Sequence, residues 1–281
     1  MIARILLQTA AALSAALELD SRAARLEAQI LLGHALGKSR AWLIAHDSEA
    51  PAPRQTDLFH KLLERRLAGE PVAYLLGERE FFGMPFRVSP AVLIPRPETE
   101  LLVELALVHL PPDRPFRVLD LGTGSGAIAI AIARHRPLAR VIAVEYSPAS
   151  LEVARANAAR LGAHNVDFRQ GSWFSALAPE ERFGIIVSNP PYVANGDPHL
   201  ARGDVRFEPV AALVSGADGL DDIRAIVSGA RAHLAPGGWL MFEHGYDQAA
   251  ACRALLEASG YGNVASADDL AGIARVTMGT A

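Results

Sequence analysis

Apolar residues recur at helical spacing through the N-terminal part of the chain and at strand spacing further on. From Ile2 to about Gly69 the periods are helical and β-branched clusters almost absent, which predicts an all-α unit. Asp20 or Ser21 stands where a helix carrying Leu26, Ile30 and Leu31 begins, and Gly37 where it can end. Phe59, Leu62, Leu63 and Leu67 mark one face of another helix, closed by Gly69 and Pro71. Every apolar residue of this unit is expected in a core. Two short apolar runs around Gly83, from Phe81 to Val88, then predict a β-hairpin.

Beyond Arg117 the grammar changes. Apolar runs at Arg117 to Leu121, Arg140 to Val144, Val166 to Arg169, Gly184 to Ser188 and Gly238 to Glu243 alternate with helical stretches. That alternation predicts an α/β domain, a parallel sheet with helices on both faces. Two candidate strands between Gly260 and Gly279, joined by an Asp-rich loop, are expected as an antiparallel pair at the sheet edge. The expected organisation is a helical substrate-binding domain at residues 1–78, a hairpin linker at 79–95 and a catalytic domain at 96–281.

Composition narrows the class. With 281 residues, 51% hydrophobic and 21% charged, the chain has the make-up of a packed protein rather than a disordered one. A formal net charge of -4 provides no electrostatic reason for a nucleic-acid duplex as partner. Cys252 is the single cysteine, so no intrachain disulfide forms and a reducing, cytoplasmic setting fits. No apolar run reaches the roughly 18 residues of a membrane span. The alanine-rich stretch Ile5 to Leu17 is interrupted by Gln8, Thr9 and Ser14 and reads as helix rather than as a signal peptide.

Three motifs carry chemistry. Val118-Leu119-Asp120-Leu121-Gly122-Thr123-Gly124-Ser125-Gly126 turns a strand directly into a helix, the context in which a Gly-rich loop approaches a nucleotide. Glu145, about twenty residues on at the end of the run Val141 to Val144, is a carboxylate able to accept both hydroxyls of a ribose. The glycine spacing departs from the dinucleotide fingerprint and the loop lacks a P-loop lysine, so adenosine without pyrophosphate is expected, pointing to S-adenosylmethionine. No metal is expected. The third motif, Asn189-Pro190-Pro191-Tyr192, follows the strand Ile185-Ile186-Val187. The Asn189 side-chain oxygen and the Pro190 carbonyl can each accept one hydrogen of a planar NH2 group while Tyr192 packs on its face. Glu98 and Glu100 are read as helix-capping residues, and Glu243-His244 as the end of a strand.

These motifs resemble Rossmann-like methyltransferases that modify exocyclic amino or amide nitrogens. With Leu93-Ile94-Pro95-Arg96-Pro97-Glu98-Thr99-Glu100, Trp173-Phe174, Ser188-Asn189-Pro190-Pro191-Tyr192 and Val205-Arg206-Phe207-Glu208-Pro209, almost the whole chain resembles the HemK/PrmC family of release-factor glutamine methyltransferases. The resemblance implies a Rossmann-like S-adenosylmethionine-dependent catalytic domain, a small all-α N-terminal domain that grips a peptide chain release factor, and a β-hairpin linker. It implies methyl transfer to the side-chain amide nitrogen of the glutamine in a Gly-Gly-Gln motif, with S-adenosylhomocysteine as product. Carried over by residue, Gly122, Thr123, Gly124, Ser125, Gly126, Glu145, Trp173 and Asn189 meet the cofactor. Asn189, Pro190, Pro191 and Tyr192 bind the glutamine, with Asn189 and Pro190 catalytic. Gly171-Ser172 stand where relatives often carry an acidic residue. The chain is expected to act as a monomer, with no stable nucleic-acid or membrane partner. The alternative is an adenine amino-group methyltransferase acting on DNA or RNA. No basic target-recognition segment supports it: residues 1–90 hold eleven Lys/Arg against ten Asp/Glu.

Overall fold

Capping chemistry sets the first helices. The computed structural model describes residues 1–281, and α1 (Ile2–Leu17) is followed by α2 (Ser21–Leu36), α3 (Arg40–Ala45), α4 (Pro53–Leu67) and α5 (Val72–Leu76). Asp20 is the cap of α2. Its carboxylate accepts from the backbone N–H of Arg22 and Ala23 at 2.8 and 2.9 Å, and Gly37 ends the helix in the left-handed region. Helix α4 opens on Pro53, and the Gln55 side chain accepts from the Ala52 N–H at 3.0 Å.

Ala24, Ala28, Leu31, Leu32 and Ala35 are the buried stripe of α2, at helical spacing. Leu26 lies off that stripe and is exposed, as are Leu7, Ile44 and Leu58. The expectation that every apolar residue of this unit is core therefore fails: a helix buries one stripe, and these four stand outside theirs.

The chain divides into two units, and the division does not follow chain order. Pro198–Phe207, two short 3-10 turns, belongs with Met1–Gly77; the second unit is Glu78–Asp197 with Glu208–Ala281. Inside the first unit Arg66 of α4 is buried. Its guanidinium donates to Glu27 at 2.7 Å, to Asp204 at 2.8 Å, and to the carbonyls of Gly69 and Glu70. Asp204 is thereby tied to a helix more than a hundred residues away in sequence.

The second unit starts with the antiparallel hairpin of β1 (Glu78–Phe81) and β2 (Met84–Arg87). Phe82 and Gly83 at its tip both have positive φ, the combination a tight two-residue hairpin requires. Then follow α6 (Glu100–His109), β3 (Phe116–Leu121), α7 (Ala127–His135), β4 (Ala139–Glu145), α8 (Pro148–Leu161), β5 (Val166–Gln170) and β6 (Phe183–Ser188). The chain continues with α9 (Asp221–Ala230), β7 (Leu234–Glu243), α10 (Ala249–Ala258), β8 (Gly262–Asp268) and β9 (Ala274–Thr280).

Seven strands form one sheet in the order β5-β4-β3-β6-β7-β9-β8, parallel except for β9, which runs against both neighbours. Alternate residues of each central strand serve opposite faces. Val118, Val141, Ala143, Ile185 and Val187 pack with α6 and α7. Leu119, Leu121, Ile142, Val144, Ile186, Leu240 and Phe242 pack with α9 and α10. Burial on both faces explains why these strands read as continuous apolar runs. No helix is long and apolar enough to cross a membrane.

Candidate active site

Strand order reverses between β3 and β6: the chain moves outward through β4 and β5, then returns to the other side of β3. In open α/β sheets the crevice beyond the carboxyl ends at such a reversal is where ligands bind. Register brings the motifs to that crevice. Leu121 pairs with both Val144 and Ser188, so Gly122, Glu145 and Asn189 are the next residues out on three adjacent strands. Ser188 in turn pairs with Phe242, which makes Glu243 the corresponding residue of β7.

Gly122, Gly124 and Gly126 all have positive φ. At Gly126 an added Cβ would also fall 2.8 Å from the Ile130 side chain and 3.2 Å from that of Ala154, so the turn into α7 admits no larger residue. At Gly122 an added Cβ would fall 3.4 Å from the Trp173 ring, so the indole lies close over the glycine at the strand end. Trp173 itself has φ of 48°, a strained setting for a bulky residue. Glu145 closes the loop from the next strand, accepting the Gly124 N–H at 2.9 Å and the Ser147 N–H at 2.8 Å. Each of its oxygens retains capacity for a further donor such as a hydroxyl.

Beneath the loop Asp120 is fully buried. It accepts from the Thr123 hydroxyl at 2.6 Å and the Ala129 N–H at 3.2 Å, while Oδ1 has no partner. Burial pushes its carboxyl up to about 7 against the lowering effect of those two hydrogen bonds.

Asn189 donates through Nδ2 to the Thr99 hydroxyl oxygen at 3.0 Å. With the amino end so engaged, the carboxamide oxygen is left for another donor. Tyr192 turns its hydroxyl to Glu243 at 3.1 Å, and its backbone N–H is held by the Leu213 carbonyl. A cavity of about 420 Å³ lies over these strand ends, within the range of small-molecule sites. Gly122, Thr123, Gly124, Ser125, Glu145, Trp173, Asn189 and Pro191 all line it, together with Thr99 and Arg96. Gly126, Pro190 and Tyr192 do not. Gly126 shapes the loop from behind, Pro190 is buried, and the Tyr192 hydroxyl is directed to Glu243.

Four residues of this region were not singled out for chemistry by pattern. Thr99 and Glu243 stand behind Asn189 and Tyr192. Glu208, buried, pairs with Arg96 and accepts the Ile94 N–H at 3.1 Å, joining the segments before α6 and after the 3-10 turns. Asp120 is the fourth. Its signal was a carboxylate inside an otherwise apolar strand; for Glu243 the signal was the same, one residue past Met241-Phe242. The capping expected of Glu98 and Glu100 is not made: Thr99 stands at the cap position of α6 without a side-chain cap bond, and the Glu100 carboxylate instead accepts the Phe82 N–H at 2.8 Å and so fastens the hairpin.

A glycine-rich loop, a carboxylate on the next strand and Asn-Pro-Pro-Tyr at the reversal point of this sheet define a Rossmann-like methyltransferase. The methyltransferase-domain family model matches residues 113–261, and the model of the PrmC N-terminal domain matches residues 4–77. The chain belongs to the release factor glutamine methyltransferase family. It is 53% identical to the release factor glutamine methyltransferase of Xylella fastidiosa over 92% of this chain and 94% of that one. Against the enzyme of the same name from Burkholderia pseudomallei it is 53% identical over 96% and 95%. Among solved structures, the T. thermophilus 16S rRNA N2 G1207 methyltransferase, in complex with AdoMet and guanosine, superposes with a TM-score of 0.55 at 26% identity, covering 72% of this chain and 49% of that one. A methyltransferase from Pyrococcus furiosus, 20% identical, shares the fold with a TM-score of 0.52 over 77% of this chain and 96% of its own.

Proposed function

We propose that this chain transfers a methyl group from S-adenosylmethionine to the side-chain amide nitrogen of the Gly-Gly-Gln glutamine in a peptide chain release factor, in the cytoplasm. The observation that carries the reading is the Asn189 carboxamide, whose amino end is taken by Thr99 at the rim of a cavity shared with the Gly loop and Glu145.

The residues present fit the cofactor. Glu145 offers free acceptor capacity for two ribose hydroxyls, Trp173 offers a flat apolar surface for adenine, and Gly122 lines the same cavity with no side chain to fill it. When bound, S-adenosylmethionine supplies a methyl group on a sulfonium and leaves as S-adenosylhomocysteine. The chain's own task is to make a poor nucleophile competent, since an amide lone pair is delocalised into its carbonyl. Asn189 Oδ1 accepts one amide hydrogen and the Pro190 carbonyl the other, which orients the nitrogen and frees its lone pair from the amide plane. As positive charge grows on nitrogen, both oxygen dipoles stabilise it. The proton leaves after the new N–C bond has formed.

Labelled S-adenosylmethionine with release factor, DNA and RNA in parallel tests the assignment. Methyl transfer to release factor alone, located by mass spectrometry on the Gly-Gly-Gln glutamine, is the expected result. Labelling of DNA or RNA instead would establish the adenine-directed reading.

A further inference from the structure

Helix α8 carries an asparagine in its interior, where this residue type is ordinarily disfavoured because its side chain competes for backbone partners. Asn157 is fully buried and uses its whole carboxamide. Oδ1 accepts the Arg87 N–H at 2.8 Å, while Nδ2 donates to the Arg87 carbonyl at 3.0 Å and to the Ser125 carbonyl at 2.9 Å. These partners fix which end of the amide is which, since the N–H must meet the oxygen and the two carbonyls the amino group. Toward Arg87 the amide acts as a neighbouring strand residue would, taking both the N–H and the C=O at the end of β2. Toward Ser125 it reaches the glycine loop, between Gly124 and Gly126.

The same face of α8 makes two further contacts. Ser150, Ala154 and Asn157 follow one another at helical spacing, and all three are buried. The Ser150 hydroxyl donates to the Ala91 carbonyl at 2.8 Å. Ala154 packs against the loop, where a Cβ added to Gly126 would fall 3.2 Å from the Ala154 Cβ. The segment from Arg87 to Ala91 is thus held at both ends by one helix, and Ala91, Val92 and Leu93 line the same cavity as Ser125.

We infer that Asn157 is a positioning residue for methyl transfer: through Ser125 and Arg87 it holds the cofactor loop in register with the 87–93 wall of the cavity. The cofactor half of the inference rests on S-adenosylmethionine binding at the loop, and the substrate half on the proposed function.

Three side chains locate the loop. Asp120 takes the Thr123 hydroxyl at 2.6 Å, Glu145 takes the Gly124 N–H at 2.9 Å, and Asn157 holds the Ser125 carbonyl. Of the three, Asn157 is the one that also holds the hairpin. Glycines at positive φ have no side chains with which to anchor their own turn, so the loop lies where these contacts put it. Asn157→Asp keeps the size of the side chain and an acceptor for the Arg87 N–H, but it removes both donors and sets a carboxylate oxygen against two carbonyls. A buried carbonyl without its donor is costly, so loop and wall are both released to find other partners.

The test compares Asn157→Asp with Arg160→Ala. Arg160, further along α8, donates to the Pro85 carbonyl and to Glu78 at 3.2 Å, fastening the hairpin without touching the loop. Calorimetry with S-adenosylhomocysteine, hydrogen exchange of the cofactor-free protein, steady-state methylation of release factor and a thermal melt are measured for each. Asn157→Asp is expected to weaken product binding about tenfold or more and to speed amide exchange in both 122–126 and 87–93. It is expected to raise KM for release factor by a larger factor than it lowers kcat. Arg160→Ala is expected to keep product affinity within about threefold. Unchanged affinity in a folded Asn157→Asp, faster exchange confined to α8, or an equal loss of affinity in Arg160→Ala would overturn the inference. Should Asn157→Asp fail to fold, Asn157→Ala decides on the same readouts. Wild-type enzyme that binds S-adenosylhomocysteine yet leaves release factor unmethylated would overturn the proposed function and with it the substrate half, while the calorimetric and exchange arms still decide the cofactor half.

Discussion

At Asn189, which lines the cavity, the carboxamide donates its amino group to Thr99, and its oxygen is left for a substrate hydrogen. Removing that oxygen leaves a substrate hydrogen unpaired as charge develops, so Asn189→Ala is expected to lower kcat by about a hundredfold or more. Asn189→Asp keeps an acceptor and should retain part of the activity; rapid-quench methylation distinguishes the two. Glu145 acts earlier. Loss of its charge-assisted bonds in Glu145→Ala should weaken S-adenosylmethionine binding by about 1.5 to 3 kcal/mol, measurable by calorimetry. Asp120 makes itself felt in stability. Its folded carboxyl sits at about 7, above its ordinary 3.8. Its contribution is therefore present below about pH 4 and lost as pH rises through 7, at up to about 1.4 kcal/mol per pH unit. Asp120→Asn should flatten the urea-derived stability profile of the cofactor-free protein across that window. The slope that remains is expected to come chiefly from Glu243, raised in the same direction.

Elements show why neighbouring residues can be far apart in sequence. Arg66 of α4 holds Glu27 of α2 and Asp204 of the second 3-10 turn. Truncating it leaves two carboxylates without their cation, of which Asp204 is the more exposed at 40% and Glu27 the less at 17%. For a buried arginine with such partners, Arg66→Ala is expected to cost about 3 kcal/mol, the lower end of the range for breaking a buried pair. Denaturant melts would measure it, and limited proteolysis should show faster cutting within 198–207 in the variant.

On the scale of the whole chain, chemistry is confined to the second unit, where all the cavity-lining residues lie. Deleting residues 1–77 should spare S-adenosylmethionine binding and raise KM for intact release factor. Full efficiency of the truncated, folded enzyme would remove partner gripping as the task of the helices. The deletion also strips Asp204 of Arg66, so the segment 198–207 should become protease-sensitive in the truncated chain.

Much of this molecule is written locally. Helix periods, the Asp20 cap, the hairpin turn at Gly83 and the doubly buried strands follow from side-chain spacing and backbone limits that act within a few residues. The glycine loop and Asn-Pro-Pro-Tyr were legible for the same reason, because each needs consecutive residues of fixed type. Leu26 shows the limit: its apolarity was plain, but which stripe of α2 meets other helices is set by those helices. Glu243 shows it more sharply. As a lone carboxylate at a strand end it looked like a terminator. Only the strand order and the Ser188↔Phe242 register bring it level with Asn189, and only the fold of the turn before α6 sets Thr99 behind that amide. Long-range pairing, with partners 51 residues apart for Tyr192–Glu243 and 90 for Thr99–Asn189, leaves no periodic trace in the chain. The sequence alone determined the loop, the motif and the strand ends that carry them; the tertiary structure decided which side chains stand behind them, because burial and register are properties of the assembled sheet.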